Sequence, residues 1–253
     1  MTDLHTLAVD VGGTGIKATV LDPVGEMVAE RLRVKTPYPA RPTRVVEVIT
    51  ELAAKMPEYG RASVGLPGLV REGRVAFMAN LSRSGPGEPI DPDISAEWNG
   101  FPIELALNEA LQVPTRVAND ADVQGSAVIR GEGMEFVLTL GTGAGTAVFY
   151  NGKLLPHLEL GHAPFRQEES FEEQIGNEAL HQVGRQRWTR RVRKALKAYD
   201  QFLFYDRCYV GGGNARLLVK EDLGDRVEIV SNKAGLVGGI RLWEVSGERD
   251  SDG

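Results

Sequence analysis

Hydrophobic and polar positions change period several times along the chain, and each change marks an element. Residues 5–34 read as three strands of an antiparallel meander: LAVDV, the glycine run GGTG, IKATVLD, the turn PVG, then EMVAERLRV. The period then lengthens, and RPTRVVEVITELAAK (41–55) places Val45, Val46, Ile49, Leu52 and Ala53 on one helical face. RASVGLPGLVREGRV (61–75) returns as a strand, a Pro/Gly break and a short hairpin. SRSGPGEPIDPDIS (82–95) is rich in Gly, Pro and Asp and predicts a long loop, a length that in compact proteins goes with function or mobility.

Beyond it, IELALNEALQ (103–112) is helical in period, PTRVA (114–118) is a short buried strand, and NDADVQGSAVIRG (119–131) opens a second helix. EFVLTLGTGAGTAVFYNGKLL (135–155) repeats the opening arrangement of strand, glycine turn and strand, the pattern of an internal duplication. Residues 171–204 are predominantly helical, RCYVGGGNARL (207–217) is a strand running into glycines and then a helix, VEIVSN (227–232) is a last strand, and AGLVGGIRLW (234–243) is a small-residue helix. The tail GERDSDG reads as frayed.

Composition narrows the function classes. A net charge of −6 over 253 residues argues against wholesale nucleic-acid binding, which needs clustered Lys and Arg. The one cysteine, Cys208, allows neither an intrachain disulfide nor a multi-cysteine zinc site, which suits a reducing cytoplasm. No leader and no stretch of 18 apolar residues is found, so export and membrane spanning are not expected. Thirty glycines stand out, because most fall in a few short runs where chemistry is also concentrated.

The first run is Asp10-Val-Gly12-Gly13-Thr14-Gly15-Ile-Lys17 after an apolar strand. Glycines let backbone amides approach phosphate oxygens, and a carboxylate at the strand end can orient a metal-bound water; a plain glycine hairpin accounts for the spacing equally well. A dinucleotide fingerprint requires a helix after the loop, whereas IKATVLD has strand period. Gly141-Thr142-Gly143 repeats the turn, and two such turns suggest a phosphate clamped between two domains. Gly211-Gly212-Gly213-Asn214 offers backbone to a nucleotide or simply starts a helix tightly. Asn119-Asp120 can cap a helix, and Asp120 can also accept a hydroxyl proton; the two roles are compatible. Glu159 and His162, with Glu172 downstream, can each hold sugar hydroxyls, or His162 can be a structural histidine.

Together DVGGTGIK (10–17), ANDAD (118–122), LGTGAG (140–145), ELGH (159–162) and VGGGN (210–214) resemble, in order and spacing, the ROK family of sugar kinases and repressors, and within it the short glucokinases that use polyphosphate or ATP. The resemblance implies an α/β, two-domain fold of the actin, hexokinase and Hsp70 ATPase type with ribonuclease H-like halves and an interdomain cleft. Residues 1–116, joined by the helix at about 233–245, would form one domain, residues 117–232 the other, and 246–253 a tail. It implies Asp120 as general base and Asn80, Asn119, Glu159, His162 and Glu172 around the hexose. Asp10 would act on Mg²⁺ through water, and Gly12, Gly13, Thr14, Lys17, Gly141, Thr142, Gly143, Gly212 and Gly213 would meet phosphate or nucleotide. The family's cysteine cluster is absent between His162 and Glu172, so no zinc site carries over.

The implied activity is phosphoryl transfer from ATP or polyphosphate to the 6-hydroxyl of glucose, in a cytoplasmic homodimer. Other hexoses (mannose, fructose, N-acetylated hexosamines) and a non-catalytic sugar-binding protein are the alternatives; a repressor of the family would need a DNA-binding head for which the early first strand leaves no room. Seven basic residues between Arg185 and Lys197 on one predicted helix would attract a polyanion, or pair with the acidic stretch at 168–173.

Overall fold

The computed structural model describes residues 4–230 and 234–245, and these divide into two α/β units, Val128–Ala234 forming one and the residues before it, with the carboxy-terminal helix, the other. In the first unit β1 (Thr6–Val11), β2 (Ile16–Leu21) and β3 (Leu32–Val34) form the antiparallel meander. Helix α1 (Pro42–Ala53) carries the chain to β4 (Arg61–Leu66), which lies parallel to β1. The hairpin β5 (Leu69–Arg71) and β6 (Arg74–Phe77) leads to α2 (Pro92–Trp98), α3 (Ile103–Leu111), β7 (Thr115–Asn119) and α4 (Asp120–Ser126). The sheet order is β3-β2-β1-β4-β7. Strands β1, β2 and β4 are apolar runs buried along most of their length, as central strands covered on both faces must be. Val45, Ile49 and Leu52 of α1 and Ile103 and Leu107 of α3 pack into this core.

The second unit repeats the plan. Strands β8 (Met134–Leu140), β9 (Ala144–Tyr150) and β10 (Lys153–Leu154) are antiparallel, the hairpin β11 (Pro164–Arg166) and β12 (Glu169–Ser170) follows, and α5 (Phe171–Ile175) and α6 (Asn177–Leu203) lead to β13 (Arg207–Gly211) and β14 (Val227–Ile229). The order β10-β9-β8-β13-β14 matches the first sheet strand for strand: a three-stranded meander, then two strands parallel to its first. The final helix, α7 (Ala234–Val245), belongs to the first unit.

Several sequence expectations are corrected. The division falls after Ala127, not at 116, because residue 116 lies inside β7, which is hydrogen-bonded to β4. The long loop ends at Asp91, whose carboxylate accepts from the amides of Asp93 and Ile94 and caps α2. The helix that the stretch 119–131 opens, α4, is short and stops at Ser126. The helical stretch 171–204 breaks at Gly176, and again at Gly184, where φ is +72°. Asn214 leads into a single 3-10 turn, Ala215–Leu217, and not a helix. The tail expectation lies outside the described residues. Among them, no helix is long and apolar enough to cross a membrane.

Candidate active site

Strands β1, β4 and β7 are parallel and end in register: Asp10 stands opposite Gly65, and Leu66 opposite Asn119. The turn after Asp10 and the junction before Asp120 are thereby brought to one edge of the sheet, at strand carboxyl ends, where open α/β sheets place their ligands.

Asp10 is half-exposed and its Oδ2 lies 2.7 Å from Lys17 Nζ, the residue directly across the hairpin. In the turn itself, Thr36 donates to the Gly12 carbonyl at 2.5 Å and Tyr38 to the Gly13 carbonyl at 2.7 Å. In a trans peptide the N–H points opposite to the C=O, so fixing these two carbonyls aims the amides of Gly13 and Thr14 the other way, as a concave pair suited to an anion. Tyr38 can serve as the donor because its phenol stays protonated: burial raises its pKa more than nearby Arg83 lowers it.

Asn119 is buried, accepts from the Ala121 amide at 2.8 Å and donates to the Gly68 carbonyl at 3.0 Å. It is the helix cap, and the cap is anchored to the bend between β4 and β5. Asp120 begins α4, half-buried, with Oδ1 2.9 Å from the Ala121 amide, and its Cα packs over Gly65, where a Cβ would stand at 3.5 Å. Asn80 is exposed in the bend that follows β6.

In the second unit β8 and β13 are parallel, with Thr139 opposite Gly211, so the turn Gly141–Gly143 and the pair Gly212–Gly213 again lie together at strand carboxyl ends. Asn214 donates to the Gly141 carbonyl at 3.3 Å, and the Asn177 amide to the Thr142 carbonyl at 3.1 Å. The amides of Thr142 and Gly143 are turned away from those partners, as in the first unit. The next amide, Ala144, is occupied by Glu172 Oε2 at 3.2 Å. Gly212, at φ +88°, lies against the Leu140 backbone where no Cβ fits.

Glu159 precedes and His162 ends the 3-10 turn Leu160–His162, whose Gly161 packs on the Ala144 backbone, so both are held next to the same glycine turn as Glu172. Glu159 is half-buried with Oε1 3.4 Å from His157 Nε2. Burial raises its pKa, but the neighbouring His157 and then the His162 charge outweigh burial and leave it below the ordinary value. His162 is exposed.

Sequence reasoning missed the residues that hold others in place: Thr36, Tyr38, Gly68, His157 and Asn177. Only His157, as the first histidine of HLELGH, and Gly68, in the Pro/Gly break, left a signal; a hydroxyl or amide that fastens a distant carbonyl leaves none.

Two topologically matched α/β units, each with a glycine turn between its first two strands and further site residues at strand carboxyl ends, define the actin, hexokinase and Hsp70 ATPase fold. The chain belongs to the ROK family, whose sequence profile matches residues 6–177. It is 31% identical over 94% of its length to the polyphosphate glucokinase of Mycobacterium tuberculosis (strain CDC 1551 / Oshkosh), covering 90% of that protein. The crystal structure of inorganic polyphosphate/ATP-glucomannokinase from Arthrobacter sp. strain KM superposes with a TM-score of 0.78 at 29% identity, over 96% of this chain and 98% of that one. A ROK family glucokinase from Streptomyces griseus, in complex with glucose and AMPPNP, shares the fold with a TM-score of 0.70 at 19% identity, over 94% and 98% of the two chains.

Proposed function

We propose that this protein is a sugar kinase that moves the terminal phosphoryl group of ATP or inorganic polyphosphate onto the 6-hydroxyl of glucose, with Asp120 as general base. The observation that carries the reading is the placing of Asp120, a half-buried carboxylate on the first turn of α4 with its backbone braced by Gly65 and by the anchored cap Asn119. The names of the relatives, polyphosphate glucokinase and polyphosphate/ATP-glucomannokinase, supply the substrate classes.

Asp120 takes the hydroxyl proton as the sugar oxygen bonds to phosphorus and the bridging P–O bond breaks, releasing ADP or a chain shorter by one phosphate. Asn80, Asn119, Glu159, His162 and Glu172 hold the remaining hydroxyls, Glu159 best as an acceptor because it stays ionised. The amides of Gly13, Thr14, Thr142 and Gly143 meet phosphate oxygens, with Gly212 and Gly213 beside the nucleotide. Among the described residues no cluster of three His, Cys, Asp or Glu side chains could cage a metal ion. A Mg²⁺ ion brought in on the donor needs only one or two protein carboxylates, and half-exposed Asp10, acting through water with Lys17 beside it, fits that demand. When bound, the ion neutralises charge on the donor phosphates. We also take the protein to be a cytoplasmic homodimer; light scattering at twice the 27.5 kDa chain mass tests the dimer.

The deciding experiment is glucose phosphorylation with Mg²⁺ and either donor, beside Asp120→Asn. We expect product with at least one donor and a kcat lowered by about 10²–10⁴ in the variant, with KM for glucose little changed. Full activity of Asp120→Asn, or silence of the wild type across a panel of hexoses, would sink the reading.

A further inference from the structure

We propose that a cavity beside the amino-terminal glycine turn receives the phosphates of an inorganic polyphosphate chain beyond the one transferred, with Arg33 and Lys35 as the side chains that hold them; the inference rests on the kinase reading above. The cavity measures about 440 Å³ and is lined by Thr14, Pro86 and the run from Arg33 to Thr36 with Tyr38, all within the first unit. That is more than ten times the ~30 Å³ a water molecule occupies in the liquid, so it admits far more than one small ion.

The pleat makes the cavity basic. Leu32 and Val34 pack on the hydrophobic core, which turns Arg33 to the opposite, exposed face of β3, and Lys35 just beyond the strand is exposed as well. Arg33 stands across from Lys17, and Lys17 from Asp10, so one row of the sheet carries one carboxylate and two cations. The Asp10 carboxylate is taken by Lys17, and no described carboxylate lies within 4 Å of Arg33 or Lys35. The lining contains no Asp, Glu, Asn or Gln. Its two hydroxyls on the β3 side, Thr36 and Tyr38, are spent on the carbonyls of Gly12 and Gly13. A sugar would find little to accept its hydroxyl protons there, and a cation nothing to neutralise it, whereas an anion finds two free cationic groups.

The cavity is also joined to the glycine turn. Thr14 belongs to both, and the Arg33 guanidinium lies over Gly15 so closely that a Cβ there would stand 2.7 Å from its Nε. The amides of Gly13 and Thr14 face away from Thr36 and Tyr38, so a phosphate chain held on them must round Thr14, the residue shared with the cavity, to reach Arg33, whose planar fork can grip one phosphate with two hydrogen bonds, and then Lys35. ATP offers a nucleoside in place of those further phosphates. The seven basic residues of α6, which pair with no described carboxylate, are the rival surface on the other unit.

The test compares wild type with Arg33→Gln, Lys35→Gln and the double variant, using ATP, tripolyphosphate and long-chain polyphosphate as donors. Arg44→Gln on helix α1 together with Lys55→Gln in the turn after it removes the same charge elsewhere. We expect the double variant to raise KM for long-chain polyphosphate roughly tenfold, to change KM for ATP less than about twofold, and to raise KM for long chains more than KM for tripolyphosphate. Its KM for long chains should also depend less steeply on salt. Lys35→Gln breaks no contact seen here and should give about a third of the effect without altering the thermal melt. An equal loss with ATP, no loss with any donor, or a loss produced instead by Arg187→Gln/Arg190→Gln/Lys194→Gln on α6, would overturn the proposal. If the wild type phosphorylates no sugar, equilibrium dialysis with long-chain polyphosphate decides: binding weakened in the double variant supports the cavity, and unchanged or absent binding rejects it.

Discussion

Glu159 sits half-buried beside His157, and opposing influences act on its carboxyl. Burial favours the protonated acid; the His157 and His162 imidazoles favour the carboxylate and prevail, so the folded-state pKa lies below the ordinary 4.5. A carboxyl with a depressed native pKa adds stability in full above its unfolded value, and that stability is lost as pH falls through the native value. Wild type should therefore lose stability more steeply below about pH 4.5 than Glu159→Gln, which urea melts between neutrality and pH 3 would check. Equal slopes would mean that the carboxyl gains nothing from its histidines. Glu135 is a buried carboxyl whose task is to take up backbone amides. It is fully buried, and its two oxygens accept from the amides of Arg130 and Gly131 at 2.7 Å and of Glu132 at 3.2 Å, and from Tyr209 at 2.8 Å. Glu135→Leu would leave those donors unsatisfied and should cost about 3 kcal/mol or more, measured as a lower urea midpoint at unchanged m. Glu159 was legible in the sequence because it sits in a recognisable tetrapeptide. Glu135 was not, since a glutamate opening an alternating strand reads as a solvent-facing residue until the turn that folds over it is seen.

At the scale of elements, strands and glycine turns were the readable part. The two meanders followed from period-2 runs broken by glycine, and the shared sheet order bears out the repeat suspected from the two turns. Helix ends were not readable, because they are set by contacts the sequence does not record. Gly176 divides α5 from α6 where a Cβ would stand 2.7 Å from the Glu172 carbonyl of the preceding turn and 3.1 Å from that of Thr142, which also takes the Asn177 amide, so the break combines a local contact with one remote in sequence. The glycine turn of the second unit is under the same kind of constraint. A Cβ at Gly143 would collide with the Glu172 carboxylate that also caps the Ala144 amide. Gly143→Ala should accordingly displace Glu172 and impair activity by at least about tenfold while leaving the fold intact, since the turn is on the surface side of the strands. Gly212→Ala differs in kind: its positive φ and the Leu140 backbone leave no room, and we expect a stability loss of about 2–4 kcal/mol, seen in thermal melts before any assay. Wild-type kinetics in Gly143→Ala would show that Glu172 is not needed where the structure puts it.

For the molecule as a whole, the consequential feature is that the first unit is discontinuous: the chain leaves it after Ala127 and returns with α7. The returning helix is seated on the strands that carry the site. Trp243 donates to Ser63 of β4 at 2.9 Å, Ser63 donates to the Gly239 carbonyl at 2.5 Å, and Arg116 of β7 lies 4.5 Å from the indole centroid while bonding the carbonyls of Leu242 and Trp243. Gly238 comes so close to the Val123 carbonyl of α4 that any side chain there would push α7 away from the helix that begins with Asp120. The apolar residues of AGLVGGIRLW lie nearly all round the helix, so periodicity alone could not say which sheet it would cover. A chain ending at residue 230 should thus keep every residue assigned to chemistry and still lose activity, because the face of β1, β4 and β7 opposite α1 would be stripped and Arg116 left without its carbonyls. Adding a synthetic peptide of residues 231–253 in trans should restore part of the activity and raise the melting temperature in a concentration-dependent way, by mass action on a folded-state-only ligand. Full activity of the truncated chain without peptide would mean that the strand ends hold Asp10 and Asp120 in place unaided, and that α7 is cover and not support.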